Sequence, residues 1–427
     1  MAQEHPRLPP TLAECLRLLE TRHPRSIDLG LDRVARVWRK MHCPMPSRRV
    51  VTVAGTNGKG STTAYIDAML RALGYRCGSY TSPHLFHYGE RVQVLGKPAT
   101  DQQLLAAFER VEAARADISL SYFEFGTLAA FDLMARCQLD FAVLEVGLGG
   151  RLDAVNILDT DCAVITPIGL DHQEYLGADR EAIGFEKAGI LRPGKPLICG
   201  DRDPPHTVLE QAANLNAPVW RLGRDFRVSG ASAPYFWQLG SMGLELPQPP
   251  LAGRHQVDNM ANAVAAVVRL VPAAEVDPLA LAQGLATVQL AGRLQSWPGC
   301  TRVWLDVGHN QHAATAIASG LEELGLKPRF CVLGMLRDKD AAAVAAALDP
   351  HVDTWFCTGL EGDRGRSGDE LAREVRGVAG NGRVRSFRTV GGALSKALLE
   401  SAPEENILVL GSFHTVAQAA EFLAGNC

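Results

Sequence analysis

The chain has no tract dense in lysine or arginine, and its 43 basic against 47 acidic side chains leave a formal net charge of −4. That balance excludes nucleic acid and anionic membrane as main partners, since both select a strongly basic surface. Long apolar runs are also missing. The opening Met1-Ala2-Gln3-Glu4-His5-Pro6 carries no apolar signal region, and no hydrophobic stretch reaches bilayer-crossing length, so a cytoplasmic protein is expected. The ten cysteines, Cys15, Cys77, Cys162, Cys300 and Cys427 among them, form neither C-x-x-C pairs nor a histidine-partnered zinc spacing. They read as small buried hydrophobes of a reducing compartment. There is no repeat at solenoid periods and no low-complexity segment.

What is present is an ordinary globular composition, 427 residues at 47% apolar and 21% charged, enough for two or three domains. Ahead of Pro298, apolar runs at Val50 to Ala54, Gly78 to Tyr80, Phe141 to Leu144 and Cys162 to Ile165 alternate with helical patterns, the first of them Ser61 to Leu73. Runs apolar on both faces suit central strands of a parallel sheet covered by helices. After Gly299 the rhythm resumes at Val303 to Leu305, Phe330 to Leu333, Thr354 to Cys357 and Ile407 to Leu410, with a helix at Ala341 to Leu348. The expected fold is α/β: a P-loop mononucleotide-binding domain with a mostly parallel sheet over 1–295, a linker at 296–299, and a smaller Rossmann-like α/β domain over 300–427. Gly391-Gly392 reads as punctuation at a helix start, so nucleotide binding belongs to the first domain, with the second closing over it.

The most informative stretch is Val50-Val51-Thr52-Val53-Ala54-Gly55-Thr56-Asn57-Gly58-Lys59-Gly60-Ser61. A β-branched strand breaks into a turn where Gly55, Gly58 and Gly60 let successive N–H groups point inward, and a helix opening at Ser61 adds its positive end. Triphosphate oxygens fit such a cradle. The usual P-loop spelling is only approximated, with Val53 at the first glycine position and Ser61 one residue late. A lysine among three glycines has no packing role, which favours phosphate over a bare βα turn.

In a doubly wound sheet the loops beyond the strands' carboxyl ends converge on one crevice. Glu145 ends one strand and precedes the turn Leu148 to Asp153, where a P-loop enzyme places a Mg²⁺ ligand or water-holding carboxylate. His172 follows the next strand, taken as the neighbour of Glu145, and either ligates a metal or bonds a loop. Ser82 can offer a hydroxyl to Mg²⁺, or Ser82-Pro83 is a plain turn. Lys187 either neutralises nearby acids or lies on a helix surface. Asn259, at the head of an alanine-rich helix, is a ligand or a cap; Arg293 clamps phosphate or makes a structural bridge. Asp306, Gly308, His309 and Asn310 close the first strand of the second domain and would face the cleft if the domains pack sheet-end to sheet-end.

Together, Gly55-Thr56-Asn57-Gly58-Lys59-Gly60-Ser61, Glu145 to Asp153, Leu170-Asp171-His172, Glu186 to Ile190 and Asp306 to Asn310 resemble the folylpolyglutamate synthases of the ATP-dependent Mur ligase superfamily. The likeness runs from about Ser26 to His414, and Ile118 to Thr127 looks most like the bifunctional bacterial members that are also dihydrofolate synthases. The resemblance implies a central-type ATP-binding domain followed by a glutamate-ligase domain. It further implies amide ligation: a substrate carboxylate attacks the γ-phosphate of ATP, an acyl phosphate forms, and the amine of L-glutamate displaces phosphate, with dihydropteroate and tetrahydrofolate as acceptors. By similarity Thr56, Asn57, Gly58, Lys59, Gly60 and Ser61 hold phosphates, and Asn259, Arg293 and Asp306 bind the rest of ATP. Ser82, Glu145 and His172 hold magnesium, two ions in all, with Lys187, commonly carbamylated in this family, bridging toward the second. Lys59, Glu145, His172 and Lys187 form the implied catalytic set. The pterin end lies against Arg22, His23, Ser121, Tyr122, Phe123, Glu124, Leu152, Asp153 and Ala154, and His309 and Ser412 meet glutamate. A monomer is expected.

Two rivals remain. A peptidoglycan-precursor ligase of the same superfamily would need a uridine-nucleotide domain ahead of the loop, where only 54 residues precede Gly55. A P-loop switch or motor ATPase predicts hydrolysis indifferent to glutamate.

Overall fold

The structure, a computed structural model, describes residues 8–25 and 27–426; Met1 to Pro6, Ser26 and Cys427, which figure in the sequence reading, lie outside the described residues. Contacts divide the chain into two compact units. The first comprises Met1–Ile168, Gln173–Gln248 and Asp258–Val288; the second comprises Gly169–His172, Pro249–Val257 and Gln289–Cys427.

In the first unit, β1 (Ser47–Ala54), β2 (Cys77–Tyr80), β3 (Val92–Val94), β4 (Lys97–Pro98), β5 (Leu139–Glu145), β6 (Cys162–Ile165), β7 (Leu197–Cys199) and β8 (Val219–Arg221) form one sheet, ordered β4-β3-β2-β5-β1-β6-β7-β8. From β2 to β8 the neighbours run parallel, and only β3 and β4 are antiparallel additions. β6 is buried throughout, as its unbroken apolar run requires of a strand with helices on both faces. One core, including Phe108, Phe125, Phe131 and Leu144, fills one region of this unit, and a second gathers Ile165, Ile183, Leu197 and Val208. The register places Val53 opposite Glu145, so the strand that ends at the phosphate loop lies beside the strand that ends in the acid. β1 separates β5 from β6, which corrects the expectation that the strands of Glu145 and His172 are neighbours.

The helix after the loop is Lys59–Ala72, two residues earlier than expected. Gly58, at φ +85°, completes the turn by itself, so Lys59 already has helical geometry. A small antiparallel sheet of β9 (Phe226–Ser229), β10 (Tyr235–Leu239) and β11 (Met242–Leu246) escaped the sequence reading; fully buried Trp237 anchors it by donating from Nε1 to Ala261 O at 3.2 Å.

The second unit holds β12 (Gln295–Trp297), β13 (Cys300–Leu305), β14 (Pro328–Leu333), β15 (Thr354–Thr358), β16 (Val384–Phe387) and β17 (Asn406–Leu410), ordered β12-β13-β17-β14-β15-β16. Every neighbouring pair is parallel except β12 with β13. The stretch 296–299, expected as a linker, is therefore a hairpin: Ser296 and Trp297 pair within the sheet and Pro298-Gly299 make the turn. The division between units falls instead at Val288 and Gln289. Leu333, Trp355, Leu371 and Leu408 lie at the heart of this unit's core.

Candidate active site

At the carboxyl end of β1, Gly55 takes φ +147°. A Cβ there would fall 1.8 Å from Thr166 Oγ1, on the residue that follows β6, so only glycine lets the two strand ends approach. The Thr56 N–H donates to Pro167 O at 3.0 Å, and Lys59 Nζ donates back to Thr56 O at 3.0 Å. The loop is thus braced from both sides. No side chain caps the helix Lys59–Ala72, in contrast to the helices that begin after Thr100 and Ser121. Directly behind this start, the Ser61 and Thr62 hydroxyls are buried with no hydrogen-bond partner among the described residues. A capless helix end with orphaned hydroxyls fits an anion, which would take its free donors.

Two buried side chains lie against this loop. Lys187, 3% exposed, reaches Gly55 O with Nζ at 2.7 Å, so it is no surface lysine. Asn259 lies four residues inside the helix His255–Leu270 and is 3% exposed, which removes the capping alternative. It faces Gly58, where a Cβ would stand 2.4 Å from its Oδ1. Beside them the carboxylate of Glu145, 5% exposed, accepts the Ser82 N–H at 3.2 Å. Among the described residues no group of three or more His, Cys, Asp or Glu is arranged to hold a metal. A hard divalent cation still suits this edge, because magnesium binds through one or two carboxylates and completes its shell with phosphate and water.

The residues expected near the pterin form a second patch of the same unit, much of it self-satisfied. Ser121 and Glu124 make a reciprocal capping box at the helix Tyr122–Ala135. Glu124 also accepts Arg33 Nη2 at 3.0 Å; Arg33 pairs with Asp28 at 2.9 Å, and Asp28 meets His23 Nε2 at 3.1 Å. Arg22 is bound to Glu112 at 2.5 Å, beside Arg115. Arg22, His23, Tyr122, Phe123 and Leu152 are half-buried, and of these Tyr122 and Phe123 are the aromatic side chains that a flat ring could stack on. Asp153 is 2% exposed and accepts Leu148 N–H at 2.8 Å and Val155 N–H at 2.9 Å, which leaves Leu152 and Ala154 framed by a fixed turn. Burial, the largest influence, pushes the Asp153 carboxyl up to about 6 against the pull of those N–H groups and of Lys59.

The remaining expected residues, His172, Arg293, Asp306, His309 and Ser412, belong to the second unit, as do Asp171 and Lys339. Lys339 is bonded to Asp171 Oδ1 at 2.5 Å and approaches His172 Nε2 at 3.3 Å. Asp171 further meets His309 Nε2 at 3.4 Å and Asn310 Nδ2 at 3.2 Å. Burial alone would raise the Asp171 carboxyl, but the hydrogen bond from His309 and the charges of His309, Lys339 and His172 outweigh it and hold the group far below the usual range. Asp306 accepts the N–H groups of Gly308 at 2.7 Å and Leu294 at 2.8 Å, fixing the turn that carries Arg293, whose guanidinium lies over Phe413. Burial raises the Asp306 carboxyl, opposed by Arg293. Ser412, 5% exposed, accepts Thr415 N–H at 3.0 Å at the start of the helix Phe413–Asn426. Sequence reasoning missed Thr166 and Lys339. Thr166 had a signal, a hydroxyl closing an apolar strand; Lys339 had none, because its partner lies 168 residues away.

Two family models match the chain: the Mur ligase middle domain over residues 53–267 and the Mur ligase, glutamate ligase domain, over residues 292–413. The dihydrofolate synthase/folylpolyglutamate synthase of Escherichia coli (strain K12) is 43% identical over 413 residues, 96% of this chain and 95% of that protein. The solved structure of E. coli FolC in complex with DHPP and ADP is similar at TM-score 0.91 and 41% identity, over 98% of this chain and 99% of that one. A bifunctional folylpolyglutamate synthase/dihydrofolate synthase solved with Mn, AMPPNP and L-glutamate bound is similar at TM-score 0.89 and 40% identity, over 99% of this chain and 100% of that one.

Proposed function

Because the chain belongs to the dihydrofolate synthase/folylpolyglutamate synthase family of Mur ligases, we propose that the capless helix end at Gly58-Lys59 is the seat of ATP for a folate–glutamate ligation. The chain is an ATP-dependent carboxylate–amine ligase that adds L-glutamate to dihydropteroate, giving dihydrofolate, and to tetrahydrofolate. One observation carries the site assignment: buried Asn259 and Lys187, the bare helix start and the Ser61 hydroxyl meet at one strand end.

A carboxylate is a poor acyl donor because its leaving group would be an oxide, and phosphorylation supplies a better one. Thr56 to Ser61 cradle the phosphates through N–H groups, and Lys59 offsets charge as the phosphoryl group moves to the substrate carboxylate. The glutamate amine then displaces phosphate from the acyl phosphate. Asn259, Arg293 and Asp306 hold the remainder of ATP, Tyr122, Phe123 and Asp153 the pterin end, and His309 and Ser412 glutamate. Ser82, Glu145, His172 and Lys187 would hold two magnesium ions, which when bound polarise the phosphoryl oxygens. We infer a cytoplasmic monomer; among the described residues no helix is long and apolar enough to cross a membrane.

Product analysis with dihydropteroate and tetrahydrofolate in parallel, each with ATP and L-glutamate, tests the reading. ADP release should require both acceptor and glutamate, and Lys59→Ala should abolish turnover of both folates by at least about a hundredfold. ADP release indifferent to glutamate would return the hydrolysis-only rival. A carbamate on Lys187 is a separate claim: 13C NMR of the native protein in 13C-bicarbonate should show a carbamate carbonyl that Lys187→Arg lacks, and a wild-type spectrum without that resonance removes the claim.

A further inference from the structure

Arg91 closes the 3-10 turn Tyr88–Arg91 and is 8% exposed. Among the described residues the groups that act on its charge are the phenols of Tyr88, Tyr80 and Tyr122, with no carboxylate among them. Its guanidinium instead sits 5.1 Å from the ring centroid of Tyr88 and 5.4 Å from that of Tyr122, and its Nε donates to His84 Nδ1 at 2.9 Å. A buried cation without a counter-charge costs stability that aromatic faces only partly offset, so packing alone gives no reason for an arginine here. What it touches does. His84 stands two residues beyond Ser82, whose N–H binds Glu145. Tyr122 is the first residue of the helix Tyr122–Ala135 and is only half-buried. Its neighbour Phe123 closes against Gly147, where a Cβ would lie 2.6 Å from Phe123 Cζ. Tyr88 stacks edge-on against both Tyr122 and Phe108, so the turn carrying Arg91 is itself anchored in the core.

We propose that Arg91 is a positioning residue for the folate substrate: with its guanidinium aimed by the bond to His84, it clamps the Tyr122 ring and presets an aromatic face for the flat heteroaromatic end of the acceptor. This rests on the assignment of the Tyr122–Phe123 segment to the pterin. A planar guanidinium can stack on one ring and aim a directional bond at His84 at once, and a lysine ammonium cannot.

The test is binding rather than turnover alone. Dihydropteroate affinity is read by pterin fluorescence and ADP affinity by calorimetry, for wild type, Arg91→Lys, Tyr122→Leu and the double variant, with thermal unfolding in parallel. Arg91→Lys should weaken dihydropteroate binding and raise its KM roughly tenfold, leaving kcat and ADP affinity within about twofold. The two substitutions should be non-additive, since each removes the same contact. Equal losses for ADP and dihydropteroate, or additive effects, would overturn the proposal. If Tyr122→Leu weakens binding and Arg91→Lys does not, the clamp is wrong and the pterin assignment stands. If Tyr122→Leu and Phe123→Leu both bind dihydropteroate normally, the pterin assignment itself fails. Should Arg91→Lys not fold, Arg91→Gln, which keeps a planar donor without the charge, takes its place and should lose affinity in the same selective way; normal dihydropteroate affinity in that variant would equally overturn the clamp.

Discussion

Asp153 carries its negative charge against the medium around it. Its carboxyl is pushed up to about 6 by burial, from an ordinary 3.8, so the folded protein holds that proton more tightly than the unfolded chain does. The stabilisation is then fully present below pH 4 and is lost as pH rises through 6, on the order of 3 kcal/mol over that window. Urea denaturation between pH 4 and 7 should show wild type losing stability relative to Asp153→Asn as pH rises; parallel profiles would mean that the two N–H donors hold the group ionised throughout. Ser121, Glu124 and Ser412, substrate contacts by resemblance, are each also engaged at a helix start, Ser121 and Glu124 with each other. A serine that caps and a serine that binds are the same letter, and only the position of the nearest free N–H distinguishes them.

At the scale of one element, the turn from β1 into Lys59–Ala72 explains why three glycines and a lysine are adjacent. Gly58 at φ +85° ends the strand-to-helix turn, and its missing Cβ leaves room for Asn259. Gly58→Ala should therefore weaken ADP binding at least about tenfold through backbone strain and displacement of Asn259, with a stability loss of about 1–3 kcal/mol. Calorimetric ADP titration checks it, and unchanged affinity would separate the loop from the nucleotide. This turn was legible in the sequence because its demands are local. For Asn259 the residues alone left ligand and cap open, since its side chain reaches the loop only through the register of a helix some 200 residues further on. The hairpin of β12 with β13 was not legible, because a three-residue edge strand followed by Pro298-Gly299 has the composition of a linker.

For the whole molecule, two compact units with separate cores make a single unfolding transition an unsafe assumption. Leu408 is fully buried in the second unit's core. Leu408→Ala should cost about 2–5 kcal/mol and lower one calorimetric transition while leaving that of the first unit in place. A single transition shifted as a whole would show that the units melt as one body.

The α/β alternation, the strand cores and the phosphate loop are written locally in the chain, because hydrophobic period, β-branched runs and glycine turns act between near neighbours. Which side chains gather at the strand ends was decided only by the tertiary structure. Sheet order set β1 between the strands that precede Glu145 and His172, and helix register aimed Asn259 and Lys187 at the loop. Those choices follow from packing between distant segments, which no local pattern encodes.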